Sequence, residues 1–376
     1  MWSAERIVSD GDEYFAALVA DIAAAQTSID LESYIVEDDE VGKLVIGALA
    51  DAAARGVAVR LLVDGHGAQN WIHASGQTFR GCPWRIFHPL PWLVLRTYLP
   101  TLRTIAGRWQ ALRWINRRNH RKTCVIDGAI AWVGSFNLER RHSRAAVGDA
   151  AWRDTAVRVS GPEVLLLTAA FNVAWSRSWR FGRRFLVPPV RHRMREKPMA
   201  SDTPVRLNTT RGTRRRQWRV LLLRIAGSKQ RVWITTPYFV PTEDLLKALT
   251  RAAKHADVRL LLPLVNDVPF MPFVASIYVG RLRAAGVRIW AYPHMVHAKT
   301  QLLDDRGLVG SSNLNSRSLR FDLEADVWVT KPDTITALAE AFERDCAVAR
   351  ELPADIRAPW HWRVAGWFLL FGRGLL

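Results

Sequence analysis

The chain has 376 residues, 49% of them apolar, with 53 basic against 35 acidic side chains and a formal charge of +18 at pH 7. That is enough apolar surface for proper cores, in two domains or one large duplicated one. The charge directs the chain to anionic partners, nucleic acid or anionic lipid; seventeen tryptophans favour the membrane–water interface without excluding nucleic acid.

The opening "MWSAERIVSDGDEYF" carries acidic residues where a signal peptide needs an apolar stretch. No run of about 18 uncharged apolar residues occurs, so no transmembrane helix is expected and membrane contact should be peripheral. Cys82, Cys124 and Cys346 lack metal-ligand spacing and read as reduced core thiols on the cytosolic side, with neither disulfide nor zinc.

Along the chain, "EYFAALVADIAAAQTSIDLESYIV" predicts a helix and a strand, and "GKLVIGALADAAARGVAVRLLVD" predicts a second pair. The same order returns in "RVLLLRIAGSKQRVWITTPYFV" and "DLLKALTRAAKHADVRLLLP", with Tyr34 opposite Tyr238. "GCPWRIFHP" then parallels "GVRIWAYPH". This ordered repetition predicts two α/β halves related by a pseudo-twofold axis. The first half is placed at 1–182, a basic, Pro-rich linker at 183–204, the second half at 205–350 and an aromatic, basic tail at 351–376.

Each half contains H-x-K-x4-D: His120, Lys122 and Asp127 in the first, His297, Lys299 and Asp304 in the second. Downstream come Gly134, Ser135 and Asn137, then Gly310, Ser311 and Asn313. In an extended chain, His and Lys two apart share a face. Two lysines with the small donors Ser135, Asn137, Ser311 and Asn313 suit the non-bridging oxygens of a phosphodiester. Two histidines can divide the labour, one attacking phosphorus and the other moving the proton of the leaving and incoming oxygens. A neutral, oriented imidazole needs a carboxylate on its far nitrogen, for which Asp154 and Glu324 are the candidates. Asp127 and Asp304, grouped with the catalytic set by the motif, fit better as ties between motif and turn. The set calls for no metal or other cofactor.

The motifs "HRKTCVID…GSFN" and "HAKTQLLD…GSSN" resemble the phospholipase D superfamily. "NHRK", "AARGVAVRLLVDG", "WRDT", "TPYFVP" and "GSSNLNSRS" narrow the resemblance to bacterial cardiolipin synthases of the shorter, peripheral type, from about residue 10 to 345. It implies a duplicated α/β fold with one active site between the halves and a phosphohistidine intermediate; with both motifs in one chain, a monomer is expected to be active. It also implies His120 as nucleophile, His297 as acid/base, and transfer of a phosphatidyl group to the headgroup hydroxyl of phosphatidylglycerol. The sequence departs from the family at Asn315, where Asp is usual, at Asp322, where Asn is frequent, and in "GSFN" for "GG.N", without the Tyr that commonly follows.

Gly286 to His297 spans 11 residues, but Gly81 to His120 spans 39, so the first half carries an insertion at about 91–119. It holds six arginines, three tryptophans and no acid, and Leu102, Ile105, Trp109 and Leu112 form a helical stripe. Such a helix can lie in an anionic interface or pack on the core. With the tail, it favours a peripheral location on the cytoplasmic side of the cell membrane and no nucleic-acid partner. A phospholipase D-type hydrolase and a nuclease are the alternatives.

Overall fold

The computed structural model describes residues 1–90, 104, 116–181, 186–187, 203–355, 359–362 and 364. The insertion at about 91–119 and the tail at 351–376 lie largely outside these residues.

Among the described residues the first half forms one sheet from β1 Ala4–Val8, β2 Ser28–Ser33, β3 Ala58–Asp64, β4 Trp84–Phe87, β5 Thr123–Ile126, β6 Ile130–Gly134, β7 Ala156–Ser160, β8 Trp179–Phe181 and β9 Leu186–Val187. Their spatial order is β1-β7-β6-β5-β2-β3-β4-β8-β9. The second half forms β10 Val205–Leu207, β11 Arg231–Thr235, β12 Asp257–Pro263, β13 Arg288–Tyr292, β14 Thr300–Leu303, β15 Arg306–Gly310, β16 Ala325–Val329 and β17 Arg350–Glu351. Their order, β10-β16-β15-β14-β11-β12-β13-β17, is that of the first sheet without its last strand. The duplication read from the repeats is therefore the architecture.

Two details differ from the expected boundaries. Leu186–Val187, inside the segment read as linker, pairs with β8, and Glu351, assigned to the tail, pairs with Trp290. Both pairings are only two residues long, and arginine and proline dominate the composition around the first.

The parallel strands β2, β3 and β4 are covered on one face by helices Gly11–Ala24 and Glu40–Ala54; β2 alternates, Ile29 and Leu31 joining that core while Asp30 and Glu32 take polar partners. Asp10 caps the first helix through Glu13 N and Asp39 caps the second through Gly42 N; Leu18, Ile22, Val45 and Leu49 face the sheet. The second half repeats this with helices Arg211–Gly227 and Glu243–Ala252, the latter capped by Thr242. A third core joins the halves. Val133, Val157 and Val159 of the first sheet meet Val309, Val327 and Val329 of the second, with Trp233 and Phe342 stacked beside them. Trp2 seals the seam by donating its indole N–H to Trp328 O.

Asp127 and Asp304 occupy equivalent turns, both at φ 52° in the left-handed region that Asp tolerates. Asp127 accepts from the backbone N–H groups of Gln26, Thr27 and Ser28, and Asp304 from those of Lys229, Gln230 and Arg231. Each therefore ties the β5–β6 or β14–β15 turn to the start of the neighbouring strand. Burial opposes the Asp127 charge, but together these donors outweigh it and hold its carboxyl down at about 2. Asp127→Ala and Asp304→Ala should each cost about 1.5–3 kcal/mol in urea unfolding while leaving turnover within about threefold. A turnover loss far exceeding the stability loss would return them to the catalytic set.

Candidate active site

His120 and Lys122 lie in the run entering β5, and His297 and Lys299 in the run entering β14. All four are buried, none more than 9% exposed. Each histidine run is zipped to the other half. His120 N donates to Leu323 O at 3.0 Å and Leu323 N to Arg118 O at 2.8 Å, while His297 N donates to Arg153 O at 2.7 Å and Arg153 N to Met295 O at 3.1 Å. The zipped strand presents its carboxylate in the next position. His120 Nδ1 meets Glu324 Oε2 at 3.0 Å, and His297 Nδ1 meets Asp154 Oδ2 at 2.7 Å. Both carboxylates named from sequence thus face the histidines, each crossing between halves.

The serines sit behind the carboxylates. Ser135 Oγ donates to Asp154 Oδ1, and Ser311 Oγ donates to Glu324 Oε2 at 2.5 Å. With both hydroxyls committed, the reading of Ser135 and Ser311 as phosphate donors is corrected: they fix the carboxylates that fix the histidines. The preceding glycines explain the Gly-Ser pairing. A Cβ at Gly134 would stand 2.6 Å from Ala156 Cα, and one at Gly310 would stand 2.4 Å from Ala325 O. Asn137 is likewise occupied, its amide donating to Glu139 Oε1 at 3.2 Å, but Asn313 Oδ1 is buried with no hydrogen-bond partner.

Burial and the lysine charges keep both imidazoles neutral. His120 is held well below its ordinary value by burial, Lys122 and Lys299; His297 falls to about 3 through burial and Lys299, against the pull of Asp154. Burial also lowers the lysines, Lys122 to about 7 with help from Lys299, and Lys299 to about 8. Lys299 Nζ lies 3.0 Å from His297 Nε2, so that nitrogen is the acceptor and Nδ1 carries the proton toward Asp154. Lys122 Nζ instead donates to His120 O at 2.8 Å and lies 5.1 Å from the centre of the Tyr34 ring.

Three further residues support the site and escaped the sequence reading. Glu32 accepts from Asn119 Nδ2 at 2.9 Å and Thr123 Oγ1 at 3.0 Å, and Asp64 accepts from Asn119 N at 2.9 Å, holding the His120 run from below. Both are carboxylates near the ends of buried strands, in "DLES" and "LLVD", an available signal. The third, His142, lies 3.2 Å from Asp154 Oδ2. Among the described residues, His142, Asp154 and His297 bring candidate ligand atoms within 4.8 Å of one another. The donor set does not suit a metal ion, because Asp154 already accepts from His297 Nδ1 on Oδ2 and from the Ser135 hydroxyl on Oδ1. The two departures are local: Asn315 caps helix Ser316–Arg320 through Ser318 N at 2.9 Å, and Asp322 pairs with Arg317 at 3.2 Å, burial raising its carboxyl to about 7.

A neutral imidazole on each side of two buried ammonium groups can bind and transfer a phosphoryl centre. The comparisons with known proteins agree. The family model described as "Cardiolipin synthase, PLD-like domain" matches residues 18–152 and 221–346. A cardiolipin synthase A of Pseudomonas fluorescens is 30% identical over 366 residues, 93% of this chain and 70% of that protein. A cardiolipin synthase of Listeria monocytogenes serotype 4b is 28% identical over 365 residues, with the same coverage. Among solved structures, a phosphatidylserine synthase of Haemophilus influenzae Rd KW20 superposes with a TM-score of 0.67 over 99% of this chain and 95% of its own; at 13% identity that is a likeness of fold alone. The chain belongs to the cardiolipin synthase, phospholipase D-like domain family and is a phosphatidyltransferase of that family.

Proposed function

We propose that this enzyme synthesises cardiolipin, moving a phosphatidyl group from a phospholipid donor to the headgroup hydroxyl of phosphatidylglycerol. The observation that carries the reading is the crossed pair of histidine–carboxylate contacts with Lys122 and Lys299 buried between them. The two ammonium groups hold the non-bridging oxygens, and Asn313 adds a neutral donor through its amide.

His120 Nε2 attacks phosphorus, and the bond to the donor's alcohol breaks. His297, as imidazolium, gives its Nε2 proton to the leaving oxygen. The bound diester anion favours that imidazolium by offsetting the Lys299 charge. In the second half-reaction the phosphatidylglycerol hydroxyl passes its proton to His297 and its oxygen attacks phosphorus; the P–N bond breaks and restores His120.

The lipid substrate places the enzyme at an anionic membrane surface. Among the described residues no helix is long and apolar enough to cross a membrane, which fits peripheral attachment. The free thiols Cys82, Cys124 and Cys346 fit the cytoplasmic side. Both motifs lie in one chain, so a monomer suffices.

Phosphatidylglycerol vesicles should yield cardiolipin and glycerol. Phosphatidic acid alone would identify a hydrolase, and cleavage of nucleic acid without phospholipid turnover would sink the lipid reading. His120→Ala and His297→Ala should each lower turnover at least ~1,000-fold while leaving the fold intact; activity retained in either refutes a shared site. Lysines depressed to about 7 and about 8 lose their charge as pH rises through those values. The free enzyme then loses its hold on the diester, so kcat/KM should fall about tenfold or more between about pH 7 and 9. Bound substrate opposes that loss, and kcat should persist to higher pH. A flat kcat/KM over this range would remove the lysines from substrate binding.

A further inference from the structure

Strand β11 runs into "TPYFVP" and its parallel neighbour β12 into "LVNDVPF", so two adjacent strand ends bring Tyr238 and Asp267 together. The Tyr238 hydroxyl donates to the Asp267 carboxylate, 2.9 Å from each oxygen. The loop that carries Asp267 is braced. Asn266 Nδ2 donates to Pro237 O at 2.8 Å, Asn266 Oδ1 accepts from Val268 N at 2.9 Å, and Leu264 N donates to Tyr292 O at 2.8 Å. The Tyr238 ring stands nearly edge-on to His297, with centroids 6.4 Å apart and planes at 80°. Asp267 therefore lies on the His297 side of the site. Burial lowers the proton affinity of Lys299, and Asp267 joins Asp154 and Glu324 in working against that.

Asp267 is exposed, and Tyr238 is its one side-chain partner among the described residues, in a chain of formal charge +18. A carboxylate offers about four lone-pair sites, so it keeps room for donors arriving from outside. An acidic group beside a site for phosphodiester anions repels its ligand unless the ligand brings hydrogen-bond donors of its own. The first half differs here. Tyr34, the counterpart of Tyr238, has its hydroxyl 3.4 Å from His66 Nδ1, and the carboxylates nearby are buried: Asp64 accepts from Asn119 N and Asp322 from Arg317. The exposed carboxylate thus stands where one alcohol oxygen leaves and the next arrives, opposite the P–N bond to His120.

We propose that Asp267 is a headgroup-binding residue: held by Tyr238, its carboxylate accepts a hydrogen bond from the spare hydroxyl of the glycerol unit whose reacting hydroxyl exchanges its proton with His297. This rests on the transfer reading above and names the ligand of one part of that site. Asp267 takes no proton in either half-reaction. Because the leaving and attacking oxygens occupy the same place in turn, one carboxylate reads both alcohols, the glycerol that departs from a phosphatidylglycerol donor and the phosphatidylglycerol that arrives. A hydroxyl suits this place better than the ammonium of an ethanolamine headgroup, which would also meet the Lys299 charge.

The test isolates the second half-reaction. Phosphatidyl-p-nitrophenol in phosphatidylcholine vesicles loads the enzyme through a leaving group without a spare hydroxyl. Glycerol and 1-propanol at equal concentration then compete for the phosphatidyl group. The initial ratio of phosphatidylglycerol to phosphatidylpropanol is set after the covalent bond has formed. The wild type should favour glycerol at least about tenfold, and Asp267→Ala should bring the ratio to within about threefold of unity. Asp267→Asn, which keeps one acceptor oxygen, should fall between. Tyr238→Phe, which removes the support of the carboxylate, should lower the ratio in the same direction, a change in selectivity that a purely structural role would not produce. Thermal unfolding is followed for each variant. A wild-type ratio near unity overturns the proposal, as does an unchanged ratio in Asp267→Ala; should that variant fail to fold, Asp267→Asn decides by the same criterion. With ethanolamine in place of 1-propanol, a wild-type preference for ethanolamine would make this an ammonium site and overturn the proposal as well. In each case, cardiolipin made from phosphatidylglycerol by the wild type leaves the functional reading intact, whereas a wild type that makes none overturns both.

Discussion

Every part of this site depends on an exchange: each half supplies the histidine that the other half's carboxylate holds. The contacts join residues 204 and 143 positions apart, His120 to Glu324 and His297 to Asp154. Removing one partner of such a buried pair would strand a charge or an unpaired imidazole where water cannot replace it. The apolar seam between the sheets is thus a condition of the chemistry, since a shift of one sheet against the other would break both contacts together. The backbone zips at Asn119–Leu323 and Arg153–Val296 fix the register at the point where it matters.

The charges gathered around this exchange are electrostatically costly. Two buried lysines sit among neutral imidazoles, and burial pulls their proton affinities toward neutrality. On the function proposed above, a phosphodiester anion would relieve that strain on arrival and restore both ammonium groups, so that binding and proton uptake would be coupled and the preorganised charge would act on phosphorus without further rearrangement.

Much of this was legible in the sequence, because repetition is a long-range signal written in local patterns. The helix and strand periodicities, the twin H-x-K motifs and the two carboxylates could all be set against their counterparts. Ser135 and Ser311 were legible as site residues but not in their role: a hydroxyl next to a lysine looks like a phosphate donor until its acceptor is known. His142 was hidden for a different reason. Nothing in "LERRHS" marks it until Asp154, twelve residues on, is folded back against it. The β9 pairing lay beneath a composition dominated by arginine and proline.

The matching strand orders of the two sheets carry a consequence about symmetry. Were the two halves identical copies meeting about a true twofold axis, the crossed contacts would form just as well. The two histidines would then be interchangeable, and neither could be specialised. Joining the copies in one chain lifts that equality. One carboxylate can be Asp and the other Glu, and only one motif preceded by a long insertion. The single polypeptide does more than bring two motifs together: it allows them to become different.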